Sequence, residues 1–230
     1  MRRISFALIM LTLIAQSASA QRRQRVFTSD PDMWATASIA GFRANGVNDG
    51  ATGSTWDFGN STNFQYRVSL EKGWTSGASF GIAGSYAHVP FVYSSDLAIP
   101  LPSGVDGTRC APACNAHLDM STLVATFHAG SGIGFHQVLE VNGGAVFYEN
   151  LKRDTDGAKL AGSGNVDPLL SFSYGFGWGL SDRSSLDFTS DYAIAIHERQ
   201  NQANSVSNTN TMTALRLMFR MGFGARSLRR

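Results

Sequence analysis

The chain has 230 residues and a formal net charge of +2, which is too small to indicate a nucleic-acid-binding protein. Charged residues make up 16% of the chain, against about a quarter in an average soluble protein, while the 24 glycines and the 11% aromatic residues are high for a helical protein. Beyond the N-terminal segment, uninterrupted apolar runs stay below the roughly 18 residues that a membrane-spanning helix needs.

The first 20 residues have the three regions of a secretory signal peptide. Arg2 and Arg3 form the basic start, an apolar run extends from Ile4 to Ile14, and the small residues Ala-Ser-Ala end at Ala20. The apolar run is too short to span a bilayer, so we expect cleavage after Ala20 and export from the cytoplasm. The mature chain then has about 210 residues, enough for one domain.

Eight segments of the mature chain alternate apolar and polar side chains with the period of two residues that is typical of β-strands. In chain order they are Met33–Arg43, Asn63–Trp74, Ala78–Val89, His117–His128, Phe135–Leu151, Pro168–Leu180, Leu186–His197 and Ala214–Gly224. The alternation is weak in the first segment and irregular in the fourth, where it indicates a β-bulge. The sequence therefore predicts an all-β protein.

The last segment shows two different faces. Its apolar side chains recur at every second residue, and Arg216 and Arg220 lie between them on the opposite face. A soluble sheet with one wet face has the same pattern, so this segment alone leaves two environments open for the arginines. They lie either in solvent or in the interior of a barrel.

The connections between the segments alternate between short and long. The tight turns are WTSGA, AGSGIG and SDRSS, and the long connections are residues 44–62, 89–116, 151–165 and 198–210. Four long connections on one side and three tight turns on the other predict an antiparallel up-and-down sheet. This is the loop pattern of bacterial outer-membrane barrels. An extra hairpin within residues 89–116, which would give ten strands, remains an alternative.

Aromatic side chains lie at strand ends next to the tight turns or the chain termini. In a closed barrel we expect them to form one ring at the level of the lipid headgroups. The predicted ring consists of Trp34, Trp74, Phe80, Phe135, Trp178, Phe188 and Phe223.

The run GFGWGLSDRSSLDFTSDYAIAIH, followed by ALRLMFRMGFG, resembles the last three strands of the small outer-membrane β-barrel proteins of the OmpA and OmpX type. The resemblance is one of alternation and turns, and it extends over most of the mature chain. It implies a transmembrane antiparallel up-and-down barrel of eight strands, with four long extracellular loops and short periplasmic turns. We accordingly expect a periplasmic segment at residues 21–32, the barrel at 33–226 and a basic tail at 227–230.

Closure of a barrel turns the second face of each strand inward, and eight strands enclose only enough space for side chains. We therefore expect the polar residues of that face to form a charged network. If the last two strands form a hairpin, one register places Asp187 opposite Arg220, Asp191 opposite Arg216 and Phe188 opposite Phe219. The full predicted network is Arg67, Glu71, Glu140, Asp187, Asp191, Arg216 and Arg220.

The only two cysteines, Cys110 and Cys114, lie in the stretch TRCAPACNAH. In an exported chain such a closely spaced pair favours a local disulfide. A metal site that adds His117 is the alternative, although two thiols and one imidazole fall short of the four ligands of a structural zinc site.

The sequence indicates location and architecture more clearly than activity. We expect a non-enzymatic barrel in the bacterial outer membrane, with a structural or surface-interaction role through its long extracellular loops. The expected partners are outer-membrane lipids, the barrel-assembly machinery during insertion and any surface ligand that the loops bind. We expect no nucleic acid, no cofactor and no metal.

Two other functions remain as alternatives. A narrow channel or transporter for small solutes is one, because Gly175, Gly177 and Gly179 leave space on the inner face of a strand. A lipid-modifying barrel enzyme is the other. It is less favoured because none of the five histidines is followed two positions later by serine, the pair that lipid A deacylases of this shape use.

Overall fold

The computed structural model describes residues 31–59, 61–75, 77–95, 107–198 and 208–224. Within these ranges it contains ten β-strands: β1 (Met33–Ala44), β2 (Val47–Asp49), β3 (Ser54–Asp57), β4 (Asn63–Thr75), β5 (Ala78–Ser95), β6 (Cys114–Ala129), β7 (Gly134–Arg153), β8 (Asn165–Ser181), β9 (Ser184–Ile196) and β10 (Thr209–Phe223). No helix among the described residues is long and apolar enough to cross a membrane. The predicted signal peptide, residues 21–30 and the tail at 227–230 lie outside the described residues.

Eight of these strands close into a barrel. Each pairs antiparallel with its neighbours along the chain, and β1 pairs with β4 on one side and with β10 on the other. Pairing of β5 with β6 joins the two halves of the sheet. The predicted all-β, up-and-down barrel of eight strands is therefore confirmed. We call the end with the tight turns the turn end, and the opposite end the loop end.

The two remaining strands form a hairpin that the sequence did not indicate. β2 and β3 lie within residues 44–62, which were predicted to be a loop, and β3 pairs with the far end of β5. The alternative hairpin within residues 89–116 is not found in their described part, because β5 continues to Ser95 and β6 starts at Cys114. Strands of three and four residues are too short for their alternation to be recognised.

The outward face of the barrel is an apolar band. Large apolar side chains are exposed on all eight barrel strands. Six of the seven predicted ring residues are among them: Trp74, Phe80, Phe135, Trp178, Phe188 and Phe223. Phe188 pairs with Phe176, whereas Phe135 pairs with Trp178, so Phe188 lies one level further from the turn end.

Trp34 departs from the predicted ring because it points into the barrel, where it is only 8% exposed. The outward positions of β1 beside it are small residues, Ala35 and Ala37. Because the alternation is weak, the sequence does not show which side chains of β1 face outward and which face the interior. The ring of Trp34 instead packs against a buried arginine, as described below.

The interior has a polar half near the turn end and an apolar half near the loop end. The polar half contains the charged residues of β4, β7, β9 and β10. The apolar half is a buried cluster that includes Leu118, Met120, Tyr148 and Leu169. The β2–β3 hairpin adds Trp56, which is fully buried. Both halves of the interior are therefore filled by side chains.

Gly175 and Gly177 do not leave the space on the inner face of β8 that the transport alternative requires. A Cβ atom at Gly175 would lie 1.9 Å from the carbonyl oxygen of Phe188 on β9. A Cβ atom at Gly177 would lie 2.2 Å from Oδ1 of Asp187 and 2.4 Å from Nε2 of His136. Backbone and side chains of neighbouring strands occupy this space, so the glycines permit close packing.

Replacing Gly175 by alanine is expected to destabilise the barrel by about 1–3 kcal/mol, because the added methyl group meets the backbone of β9. Gly143→Ala on β7 is the matched control, since an added Cβ atom there has no neighbour within 4 Å. Urea unfolding of the refolded barrel in detergent micelles measures both free energies. Equal stability of the two variants would contradict the close packing of β8 against β9.

Candidate functional site

The register of β9 against β10 differs from the predicted one by two residues. Asp187 pairs with Met218 and Arg220 pairs with Ser185, and Phe219 lies opposite Leu186. The predicted register is therefore wrong, and so are the pairs Asp187–Arg220 and Phe188–Phe219. Asp191 and Arg216 are not directly opposite each other, but their side chains do form the predicted ion pair. A shift of two residues keeps every side chain on its face, so the alternation in the sequence cannot detect it.

Arg220 of β10 forms a buried ion pair across the interior with Glu71 of β4. Its Nη2 atom lies 2.6 Å from Oε2 of Glu71, and both side chains are about 1% exposed. Ser79 and Ser69 donate hydrogen bonds to the two carboxylate oxygens. The ring of Trp34 lies 4.8 Å from the guanidinium carbon, a cation–π contact. Every formal charge of this pair therefore has a partner.

Arg216 joins a second group of buried charges. Its Nη2 atom lies 3.0 Å from Oε1 of Glu140, and its Nε atom lies 3.0 Å from Oδ2 of Asp191. Arg67 donates to the same oxygen of Glu140 at 3.0 Å, and Ser173 accepts a hydrogen bond from Arg216. Glu140 thus bridges two arginines, and Arg216 in turn bridges two carboxylates, so the group forms one connected network.

Two buried histidines that sequence analysis did not assign complete the polar half. Nδ1 of His128 lies 3.6 Å from Oε2 of Glu140, and Nε2 of His136 lies 3.5 Å from Oδ1 of Asp187. Asp187 therefore faces a histidine and not the predicted Arg220. Both histidines lie on inward-facing positions. The irregular alternation of β6 obscured this signal for His128, whereas His136 shares the face of Glu140 on β7.

The polar half brings together all seven residues of the predicted network and adds the two histidines. Three guanidinium groups face four carboxylates within it. In the part of the chain that the structure describes, no group of three or more His, Cys, Asp or Glu residues is arranged to hold a metal ion. Each of the three arginines contacts at least one carboxylate, whereas the fourth carboxylate, Asp187, faces His136. The arrangement therefore connects strands from opposite sides of the barrel.

A second polar cluster lies in the apolar half, around His197 just beyond the end of β9. Its Nδ1 atom lies 2.8 Å from Oδ2 of Asp167, and its Nε2 atom lies 3.8 Å from Oδ1 of Asp49 in the hairpin. Burial lowers the pKa of His197, but the hydrogen bonds and charges of Asp167 and Asp49 outweigh burial and raise this pKa to about 9. The protonated imidazole thus interacts with Asp167 of the barrel and with Asp49 of the hairpin, and it links the two.

A disulfide joins Cys110 to Cys114 at the loop end, with 5.6 Å between the Cα atoms. The backbone of Cys110 exchanges hydrogen bonds with Ser95 at the end of β5. Both thiols are consumed by this bond, so they are not available to the alternative metal site with His117.

No protein-family model matches the chain, and no curated protein matches it. Neisserial surface protein A has a similar crystal structure, with a TM-score of 0.54 and 12% identity over 84% of this chain and 97% of that one. Outer membrane protein AlkL, solved in lipid bilayers, has a TM-score of 0.45 and 12% identity, covering 88% and 96%. The outer membrane protease OmpT of Escherichia coli has a TM-score of 0.41 and 8% identity, covering 86% and 99%. The first comparison confirms the resemblance to small outer-membrane barrels at the level of the fold.

Replacing Arg220 by methionine is expected to destabilise the protein by about 3–5 kcal/mol, because the carboxylate of Glu71 then stays buried without its partner. Adding Glu71→Gln to this variant should recover part of the loss. Arg153→Met is the control, since Arg153 forms an exposed ion pair with Asp156, and its removal should have little effect. Unfolding in urea measures all four proteins. Equal losses for Arg220→Met with and without Glu71→Gln would contradict the pairing.

The raised pKa of His197 predicts a pH-dependent stability. Its charge stabilises the fold fully below the unfolded pKa of 6.5, and this contribution is lost as the pH rises through about 9. We expect the free energy of unfolding to fall over this window in the wild type. In His197→Gln the same window should be flatter. An identical slope in both proteins would show that another group is responsible.

Proposed function

We propose that this chain is a non-enzymatic β-barrel protein of the Gram-negative outer membrane, with a structural or surface-interaction role carried by its extracellular end. The filled interior is the observation that carries this proposal. Ion pairs occupy the turn end and an apolar cluster occupies the loop end. Buried side chains of the described residues thus occupy both halves of the interior, which favours a structural role over conduction or catalysis.

The outer face supports insertion in a membrane. On β8 the exposed apolar side chains extend from Leu180 to Leu170. These ten steps of about 3.3 Å, tilted by about 40°, span about 25 Å, the height of the lipid-facing band of such barrels. The signal peptide predicted from the sequence agrees with export. Outer-membrane lipids are therefore the proposed partners of this band, and the barrel-assembly machinery is the proposed partner during insertion.

The loop end supports the surface role. Strands β5 to β7 continue past the apolar band, and the β2–β3 hairpin packs against β5 there. The disulfide and the His197 cluster stabilise this extension. Rigid extensions of this kind present a fixed surface, and we propose that surface as the place where an external ligand binds.

The first test is the state of the mature protein in cells. We expect it in the outer-membrane fraction without residues 1–20, with an electrophoretic mobility that changes on boiling because closed barrels resist detergent until they are heated. Recovery in the soluble periplasm would contradict the proposal.

A second test, of conductance, distinguishes a filled barrel from a channel. In planar bilayers the refolded wild type is expected to show no stable open state, because side chains fill the interior. A large, stable conductance whose ion selectivity reverses in Arg216→Glu/Arg220→Glu, but not in the surface control Arg153→Glu, would overturn the proposal in favour of transport.

A further inference from the structure

Two histidines lie next to each other on the outer wall, at the extracellular side of the apolar band. His88 on β5 pairs with Asp119 on β6, and Pro90 pairs with His117, so the two imidazoles occupy diagonal positions on one face. Their side chains are 56% and 28% exposed. This pair is separate from the buried interior and has no part in the proposed surface role.

Each of the two imidazoles is held at Nδ1 by its own carboxylate. Nδ1 of His88 lies 2.9 Å from Oδ1 of Asp119, and Nδ1 of His117 lies 2.6 Å from Oδ1 of Asp154. A carboxylate only accepts hydrogen bonds, so Nδ1 is the protonated nitrogen in both rings. In the neutral ring, Nε2 then carries the lone pair that a metal ion binds.

The carboxylate beside His88 is itself fixed in place. Asp119 accepts hydrogen bonds from the hydroxyl of Tyr86 at 2.8 Å and from the amide of Asn150 at 2.7 Å. The pairing of β6 with β7 shifts register between His117 and Asp119, an irregularity of the kind that redirects side chains. Metal-binding histidines commonly have such a hydrogen-bonded carboxylate behind them.

The spacing of the two rings fits a shared metal ion. Their centroids are 5.0 Å apart, and their planes are inclined by 41°. Two imidazoles that bind one tetrahedral zinc ion at about 2.0–2.1 Å have ring centres about 5 Å apart. The observed separation of the ring centres matches this value.

We propose that His88 and His117 bind one divalent transition-metal ion of the kind that prefers imidazole, such as Zn²⁺, through their Nε2 atoms. Asp119 and Asp154 are positioning residues that fix the tautomer of each ring. The site has two protein ligands, which agrees with the lack of any cluster of three or more metal-binding side chains among the described residues. Water or an external ligand completes the coordination.

Isothermal titration of the mature, refolded protein without a histidine tag tests the site, with Zn²⁺ and Ni²⁺ as probes. The wild type is expected to bind one ion per chain. Both His88→Ala and His117→Ala should lose this saturable binding. Lys152→Gln is the matched control, because Lys152 pairs with His117 across β6 and β7 but is not a ligand, and it should bind as the wild type does.

The positioning role has its own test. Asp154→Asn should bind with about 10-fold to 100-fold lower affinity at unchanged stoichiometry. In ¹⁵N spectra of the imidazoles, this variant should change the tautomer signals of His117 and leave those of His88 unchanged. A loss of structure alone would alter both rings, and the heat-dependent mobility identifies any misfolded variant.

Three results would overturn the proposal. One is the absence of saturable Zn²⁺ or Ni²⁺ binding by the wild type. Another is undiminished binding by the double variant His88→Ala/His117→Ala. The third is equal binding of Mg²⁺, since a hard cation prefers oxygen ligands and would point to the carboxylates instead.

Discussion

Every backbone polar group inside a bilayer must find its hydrogen-bond partner within the protein, and a sheet meets this requirement by closing on itself. In this chain β1 closes the barrel by pairing with β4 and with β10, so the first and last strands lie side by side. Closure directs one face of each strand outward and the other into a space that only side chains can fill. The apolar outer band, the tight glycine contacts and the filled interior all follow from this geometry.

The division of the interior follows from where the strands lie along the barrel axis. Near the turn end, side chains from distant strands meet across a narrow space, and opposite charges there satisfy one another. Near the loop end the strands extend beyond the apolar band, and the β2–β3 hairpin adds Trp56 to the buried apolar cluster. With the interior occupied by side chains, the proposed contacts with other molecules are at the loop end and on the outer wall, where His88 and His117 lie.

Alternation with a period of two was enough to predict the eight barrel strands and the inward side of Arg216 and Arg220. It was not enough for the strand register, because a shift of two residues leaves every face unchanged. It also gave the wrong side for Trp34, which was predicted to face outward but faces the interior, because small outward residues on β1 weaken the pattern. The partnership of Glu71 with Arg220 spans 149 residues and arises from the curvature of the closed sheet, for which no local pattern exists.

The interior ion pairs have a consequence for assembly, because they connect strands from opposite ends of the chain. Arg220 lies on β10, the last strand, whereas Glu71 and Trp34 lie on β4 and β1. A slip of β10 by one residue would turn both arginines toward lipid. The cost is about 2–4 kcal/mol for Arg216, which lies level with the middle of the apolar band, and less for Arg220 near its edge. A slip by two residues would keep them inside but would separate Arg220 from its carboxylate. The apolar outer band therefore disfavours the shift by one residue, and the interior ion pairs disfavour the shift by two. Together they favour the observed register of β10 when the barrel closes.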